Sequence, residues 1–364
     1  GEIGRRGVLY GICGSVSKLL APEQPYGTRS EPDFLAEMNA LTRQHLDDCA
    51  EYARIWPDFQ EAEALDDLPF LHVGVFKHIP FKTLTAGIQH ERTLKSSATS
   101  SGVSSLITLD QTSSQLQSAS TLAILKDFVG EAVRPLLILD SSRSLLARGE
   151  ISARIAAAMS LRPLASEMYF LLEDAGDGKS MKWDLLVQQL RLHDDFLVYG
   201  FTWILWLAWG KANMPDEVRE LLPGKRFHFV HSGGWKKLED IQVDHGAFDR
   251  QLLKGLHPDS RVIDFYGLVE QVGIIYPLCE SGYRHPPVWA DVLVRDPWTL
   301  EPLTGKPGQL QLMNTLAHGA PYHNVYTEDL GRIVPGDCEC GRSGSRFELL
   351  GRVPKAEIRG CSNA

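Results

Sequence analysis

The sequence has little that would carry it out of the cell, into a membrane or onto a nucleic acid. Only six cysteines, Cys13, Cys49, Cys279, Cys338, Cys340 and Cys361, are spread over 364 residues, too thinly for a disulfide framework. No secretory pattern opens the chain, so a reducing cytoplasm is the expected compartment. The most apolar stretch, Phe196 to Trp209, is shorter than the roughly 20 residues that cross a bilayer, which predicts buried protein and no transmembrane segment. Lys plus Arg number 37 against 46 Asp plus Glu, a net charge of −9. With no long basic run to meet a phosphate backbone, nucleic acid is not an expected partner.

What is present is a chain that is 43% apolar, enough to bury a large core in about two or three units. From Pro32 to Ala64 apolar residues recur at helical spacing between charges, which predicts a helical lead-in over 1–69. Leu71–Phe76 and Leu136–Asp140 read as buried strands, with a helix over Ser113–Phe128 between them. Arg226–His231 and Arg261–Tyr266 read as further strands around a polar helix at Phe248 to Leu256. An α/β core over 70–285 follows. After Pro286, short strands over 288–294, 309–313, 331–334 and 347–350 alternate with Gly and Pro turns and predict a smaller β-rich subdomain over 286–364.

Chemistry-bearing residues fall in five places. Lys95 to Ser105 holds seven hydroxyls and Gly102, and small hydroxylated residues let backbone amides close around an anion; the same composition also makes a flexible connector. In His231-Ser232-Gly233-Gly234-Trp235-Lys236 the glycines follow a strand and let backbone pass close to a flat ring. Phe265-Tyr266-Gly267-Leu268-Val269-Glu270 pairs an aromatic ring with a carboxylate. Tyr326-Thr327-Glu328-Asp329-Leu330-Gly331 offers two acceptor oxygens at Asp329. Finally, Gly351-Arg352 precedes Cys361, a thiol that Arg352, Lys355 and Arg359 are placed to activate as a nucleophile; an inert cysteine on a frayed tail is the other reading. His193, Asp194 and Asp195 read as a helix-end cap or solvated turn.

Cys279, His285, Cys338 and Cys340 make three sulfurs and one imidazole, a complete tetrahedral set for structural zinc. Their spacing is not that of a common finger, and two buried thiols beside a surface histidine is the other reading.

The order of these elements resembles that of the adenylate-forming superfamily, acyl-CoA synthetases and luciferases included. Its phenylacetate-CoA-ligase-like branch also shows a Cys-x-Cys-Gly-Arg run, here Cys338 to Arg342, and some members bind zinc there. The Gly-Gly-Trp element, a Glu-x-x-Gly-Cys terminus and an end shortly after the hinge together resemble the acyl-protein synthetases of bacterial bioluminescence, the fatty-acid-reductase type. That resemblance, over about 70–364, implies an α/β fold, the large N-terminal domain of an adenylate-forming enzyme with layered sheets and a β-rich subdomain, without the mobile C-terminal domain.

It implies ATP and Mg2+ as cofactors with structural Zn2+. Ser96, Ser97, Thr99, Ser100 and Gly102 would hold phosphates, and Gly233, Gly234, Trp235, Tyr266 and Gly267 would face adenine. Glu270 would bind magnesium, Asp329 the ribose, and Arg352 the ribose or phosphate. Cys361 would accept the acyl group of a fatty acid, for delivery to an acyl reductase partner. Ala98 and Ser101 stand where the phosphate loop expects glycine, and no lysine follows in it. Two other readings are a phenylacetate-CoA-ligase-like acyl-CoA ligase core without its small domain, and a non-catalytic scaffold for a reductase or carrier protein. Phe196 to Trp209 is expected in the core or lining an acyl channel.

Overall fold

A computed structural model describes residues 17–95, 103–145, 151–271 and 273–352. The strands, in chain order, are β1 (Leu71–His72), β2 (His90–Lys95), β3 (Leu106–Asp110), β4 (Arg134–Ile138), β5 (Ile151–Ser152), β6 (Ala165–Phe170) and β7 (Asp195–Phe201). They continue with β8 (Arg226–Ser232), β9 (Arg261–Gly267), β10 (Ile275–Pro277), β11 (Ala290–Arg295), β12 (Gly308–Asn314), β13 (Asn324–Ile333) and β14 (Phe347–Arg352). The described residues divide into two compact units, one from the residues before 125 and after 266, the other from 125–266. This division lies elsewhere than the changes of texture at 69/70 and 285/286, because β1 and the lead-in pack with the late strands.

In the first unit the sheet runs β1-β13-β12-β11, and β14 pairs with the later part of β13, beyond the two residues that β1 pairs with. β1 is parallel to β13, and the remaining pairs are antiparallel. A β2–β3 hairpin stands apart from this path, with Lys95 opposite Leu106. The lead-in folds as helices Glu31–Asp48 and Ala50–Ile55. Ser30 starts the first by accepting a bond from the Asp33 amide, with Pro and two acids in the first turn, all of which satisfy or complement the open N–H groups there. Phe34 and Met38 on this helix bury against Ala62, Leu68 and Met313.

The stretch Leu71–Phe76 is a two-residue strand followed by a 3-10 helix, Val73–Lys77, and not the continuous strand its apolar run suggests. The His72 ring accepts the Gly74 amide at 3.0 Å and turns the chain out of the sheet. The expected short strand at 331–334 is the end of β13, a ten-residue strand.

In the second unit five strands lie parallel in the order β9-β8-β7-β4-β6. In chain order this is 5-4-3-1-2, a doubly wound arrangement whose direction of growth reverses between β4 and β7. Phe196 to Trp209 forms β7, a helix Thr202–Leu205 and a turn of π-helix, Trp206–Gly210. Its side chains make the core: Phe196 stacks on Phe227 at 5.0 Å and Trp206 on Phe248 at 5.6 Å. His193 caps the preceding helix and the exposed Asp194 meets Lys225 at 2.6 Å, as expected of a helix end and turn; Asp195 instead begins β7 and pairs with the buried Arg134 at 2.9 Å.

Candidate functional site

Each unit carries a share of the candidate residues. In the second, Gly233 and Gly234 follow β8 with φ of +90° and +62°, a region costly for any residue with a Cβ. A Cβ on Gly233 would also meet the Phe201 ring at 3.3 Å. Trp235 packs edge-on against Trp206 and Phe248, and the buried His231 meets the Thr202 hydroxyl at 2.8 Å. The Gly-Gly-Trp turn is thus fixed from below by aromatic packing. Tyr266 lies half-buried near the end of β9.

In the first unit, β13 carries Asp329 directly opposite Arg352 of β14, and the Arg352 Nε lies 3.8 Å from the Asp329 carboxylate. The Asp329 side chain is only 13% exposed, against 69% for Arg352. Thr327, fully buried, accepts the Asp329 amide at 3.0 Å while its hydroxyl donates to the Leu310 carbonyl. This side chain locks the backbone where the acidic residue emerges. Gly351, at φ +114°, provides the turn of backbone that lets Arg352 face Asp329.

Glu270 is 5% exposed. Burial pushes its carboxyl above the usual carboxylate range; its own amide and the Ser105 hydroxyl pull it back, Asp329 adds to the rise and Lys77 offsets it. Tyr322 is buried nearby, its hydroxyl accepting the Thr108 amide at 3.3 Å and its phenol pushed above the usual tyrosine range, by burial first. Glu270, Ser105, Asp329, Lys77 and Arg352 therefore form one electrostatic neighbourhood at the end of the β2–β3 hairpin where Ser105 leads into β3. Ser96, Ser97, Thr99, Ser100 and Gly102, like Cys361, lie outside the described residues.

Lys77 was invisible to motif reading. Ser105 had one signal, being the last hydroxyl before an apolar strand.

The cysteine cluster is compact. One ligand atom from each of Cys279, His285, Cys338 and Cys340 lies within 4.8 Å of the others. Cys279 Sγ and Cys338 Sγ are 3.8 Å apart, and Cys340 Sγ and His285 Nε2 are 3.4 Å apart. Ligands about 2.0–2.3 Å from a tetrahedral zinc stand roughly 3.3–3.8 Å from one another, so these two separations fit that ion. Burial, with Arg342 beside it, lowers the His285 imidazole to about 4, which keeps its nitrogen lone pair available. The Arg342 amide points at Cys340 Sγ at 3.5 Å. Arg284 and Phe347 exchange backbone bonds at 3.0 and 2.9 Å, tying the cluster to the start of β14.

The fold defines a class. The chain superposes on 2-hydroxyisobutyryl-CoA ligase in an open conformation with 2-HIB-AMP and CoA, at a TM-score of 0.64 and 15% identity over 92% of this chain and 80% of that one. With the same ligase in its postadenylation state the TM-score is 0.63, over 91% and 70%. The architecture is that of adenylate-forming ligases.

Within that class the chain belongs to the LuxE acyl-protein synthetase family, whose family model matches residues 31–364. Two relatives are named long-chain-fatty-acid–luciferin-component ligase. That of Vibrio harveyi is 28% identical over 142 residues, 38% of this chain and 36% of that protein. That of Aliivibrio fischeri is 25% identical over 152 residues, 41% and 40%. These matches span well under half of either relative. Among the described residues no helix is long and apolar enough to cross a membrane.

Proposed function

We propose that this chain is an ATP-dependent acyl-protein synthetase that activates a fatty acid as its acyl-AMP and takes the acyl group onto Cys361. The observation that carries the reading is the Asp329–Arg352 pair beside the buried Glu270, in a chain that belongs to an acyl-protein synthetase family. In the first step a carboxylate oxygen attacks the α-phosphorus of ATP and pyrophosphate leaves. In the second, the Cys361 thiolate attacks the acyl carbon, AMP leaves and a thioester remains. Dividing the transfer in this way replaces one difficult step by two easier ones.

The residue roles are part of the proposal. Gly233, Gly234, Trp235, Tyr266 and Gly267 accept adenine, Asp329 the two ribose hydroxyls, and Arg352 the ribose or α-phosphate. Ser96, Ser97, Thr99, Ser100 and Gly102 hold phosphate oxygens. Glu270 is a magnesium ligand; a buried carboxylate suits a divalent cation because the ion offsets the desolvation that burial imposes. Cys279, His285, Cys338 and Cys340 hold a zinc ion in a closed structural site that keeps β14, and so Arg352, in register. A long-chain acid is favoured by the names of the two relatives. An acyl reductase partner and a cytoplasmic location complete the reading.

Intact-mass measurement tests it. Incubation with MgATP and a long-chain fatty acid is expected to add one acyl increment that hydroxylamine removes and that Cys361→Ser abolishes. Acylation of added CoA with no increment on the protein would favour the acyl-CoA ligase reading. Pyrophosphate exchange undetectable with every carboxylic acid tried would favour the scaffold.

A further inference from the structure

A nucleotide phosphate brings several negative charges to a neighbourhood that already holds Glu270 and Asp329, and cations must offset them. Arg352 is one, and it is already engaged with Asp329. Lys95 opens the serine-rich run from the end of β2, and no lysine or arginine follows over residues 96–105. Another cation reaches the neighbourhood from outside every motif.

Lys77 ends the 3-10 helix Val73–Lys77, which His72 caps. Because β1 is parallel to β13 with Leu71 opposite Val325 and His72 opposite Tyr326, the helix leaves the sheet beside the part of β13 that carries Thr327 to Asp329. It packs against both β13 and β3, the strand that Ser105 leads into. Ser105 in turn bonds Glu270, and the half-buried Lys77 acts electrostatically on Glu270. On the other side, Lys77 and Glu328 act in opposite directions on His72. The lysine therefore stands in the same neighbourhood as the three residues assigned to magnesium, ribose and hinge.

We propose that Lys77 is a second phosphate-contacting cation of the nucleotide site beside Arg352, its ammonium donating to a non-bridging phosphate oxygen from the 3-10 helix rather than from the serine-rich run. The assignment rests on the adenylation reading above. A compact ammonium on a flexible stem suits a ligand whose phosphates shift as pyrophosphate departs, whereas a bidentate guanidinium would hold one geometry. It also follows that the departures from glycine at Ala98 and Ser101 leave the site with a cation.

Two readouts on the full-length chain separate this assignment from the adenylation reading: MgATP affinity by calorimetry, and pyrophosphate exchange with a long-chain acid. Lys77→Met is expected to weaken MgATP about tenfold or more, the loss of one charge-assisted contact, with the KM for the acid unchanged. Lys77→Arg is expected to recover most of that affinity, and raising the salt from 50 to 500 mM should weaken the wild type more than Lys77→Met. Thermal unfolding without nucleotide is expected to match for all three chains, and Lys77→Gln replaces Lys77→Met should the latter fail to fold. Equal MgATP affinity in wild type and Lys77→Met overturns the assignment whatever the exchange rates. A wild-type chain that binds MgATP without exchanging pyrophosphate overturns the adenylation reading alone.

Discussion

Asp329 and Thr327 show how much of the candidate site depends on single side chains. The Thr327 hydroxyl spans from the Leu310 carbonyl to the Asp329 amide, so the acidic side chain emerges from a backbone with no slack. Replacing Asp329 by Ala removes hydrogen bonds to a charged acceptor, each worth about 1.5–3 kcal/mol, and is expected to lower kcat/KM for ATP by roughly ten- to hundredfold in the exchange assay. Thr327→Val leaves the volume but not the bonds. A rise in the ATP KM of about tenfold is expected for it, with kcat changed less, since the aspartate is displaced rather than lost. Unaltered ATP kinetics in both variants would remove this pair from the nucleotide site.

At the scale of elements, the cysteine cluster should decide whether β14 holds its place. Without the proposed zinc, three thiols and an imidazole would stand with their ligand atoms within 4.8 Å of one another and nothing to bind them together. Native mass spectrometry is expected to find one zinc per chain. Chelation, or Cys340→Ser, should lower the unfolding temperature by several degrees, a loss of a few kcal/mol in a chain of this size. A chain that carries no zinc and melts identically with and without chelator would leave these residues as ordinary packing.

The elements also mark how far the sequence was legible. Parallel strands are buried on both faces, so Leu136–Asp140, Arg226–His231 and Arg261–Tyr266 stand out as apolar runs, and the helix over Ser113–Phe128 lies within the observed Gln111–Val129. β6 did not stand out, because Ser166 and Glu167 leave it exposed along part of its length. Leu71–Phe76 misled because an apolar run does not report the side-chain bond at His72 that ends the strand. The convergence of Cys279, His285, Cys338 and Cys340 was legible because only a few residue types can ligate a metal. The bond from Ser105 to Glu270 and the approach of Lys77 were not, since both depend on strands brought together from opposite ends of the first unit.

For the whole molecule, buried histidines set the response to acid. Burial above all lowers His45 to about 3 and His318 to about 4, and His323 falls well below the usual histidine range for the same reason. His45 is fully buried between the Thr83 hydroxyl at 2.6 Å and the Ala317 carbonyl at 2.8 Å, so a second proton would bring a charge that no water solvates. Between pH 6.5 and these values the unfolded chain takes up protons that the folded chain refuses. Stability is therefore full above about pH 6.5 and falls as the pH drops, by about 2 kcal/mol for such a histidine at pH 5. The denaturant midpoint is expected to fall between pH 7 and 5, and His45→Gln should flatten that slope; a midpoint independent of pH over this range would refute the account. Nucleotide should act in the opposite direction. At about 100 times its Kd, MgATP would stabilise the chain by about 2.7 kcal/mol, visible as a rise in unfolding temperature of a few degrees.

Asp329 and Arg352 sit opposite each other on one face of an antiparallel ladder, and side chains along a strand point alternately up and down. Between the Arg332–Glu348 and Asp329–Arg352 pairs, β14 carries one residue more than β13, a bulge at Leu350. The aim of the guanidinium therefore hangs on that extra residue and on the left-handed backbone of Gly351 beside it. Evolutionary drift is expected to spare the bulge and its glycine more than the side chains around them. Homologues that lose the bulge should have moved the guanidinium's task to another position.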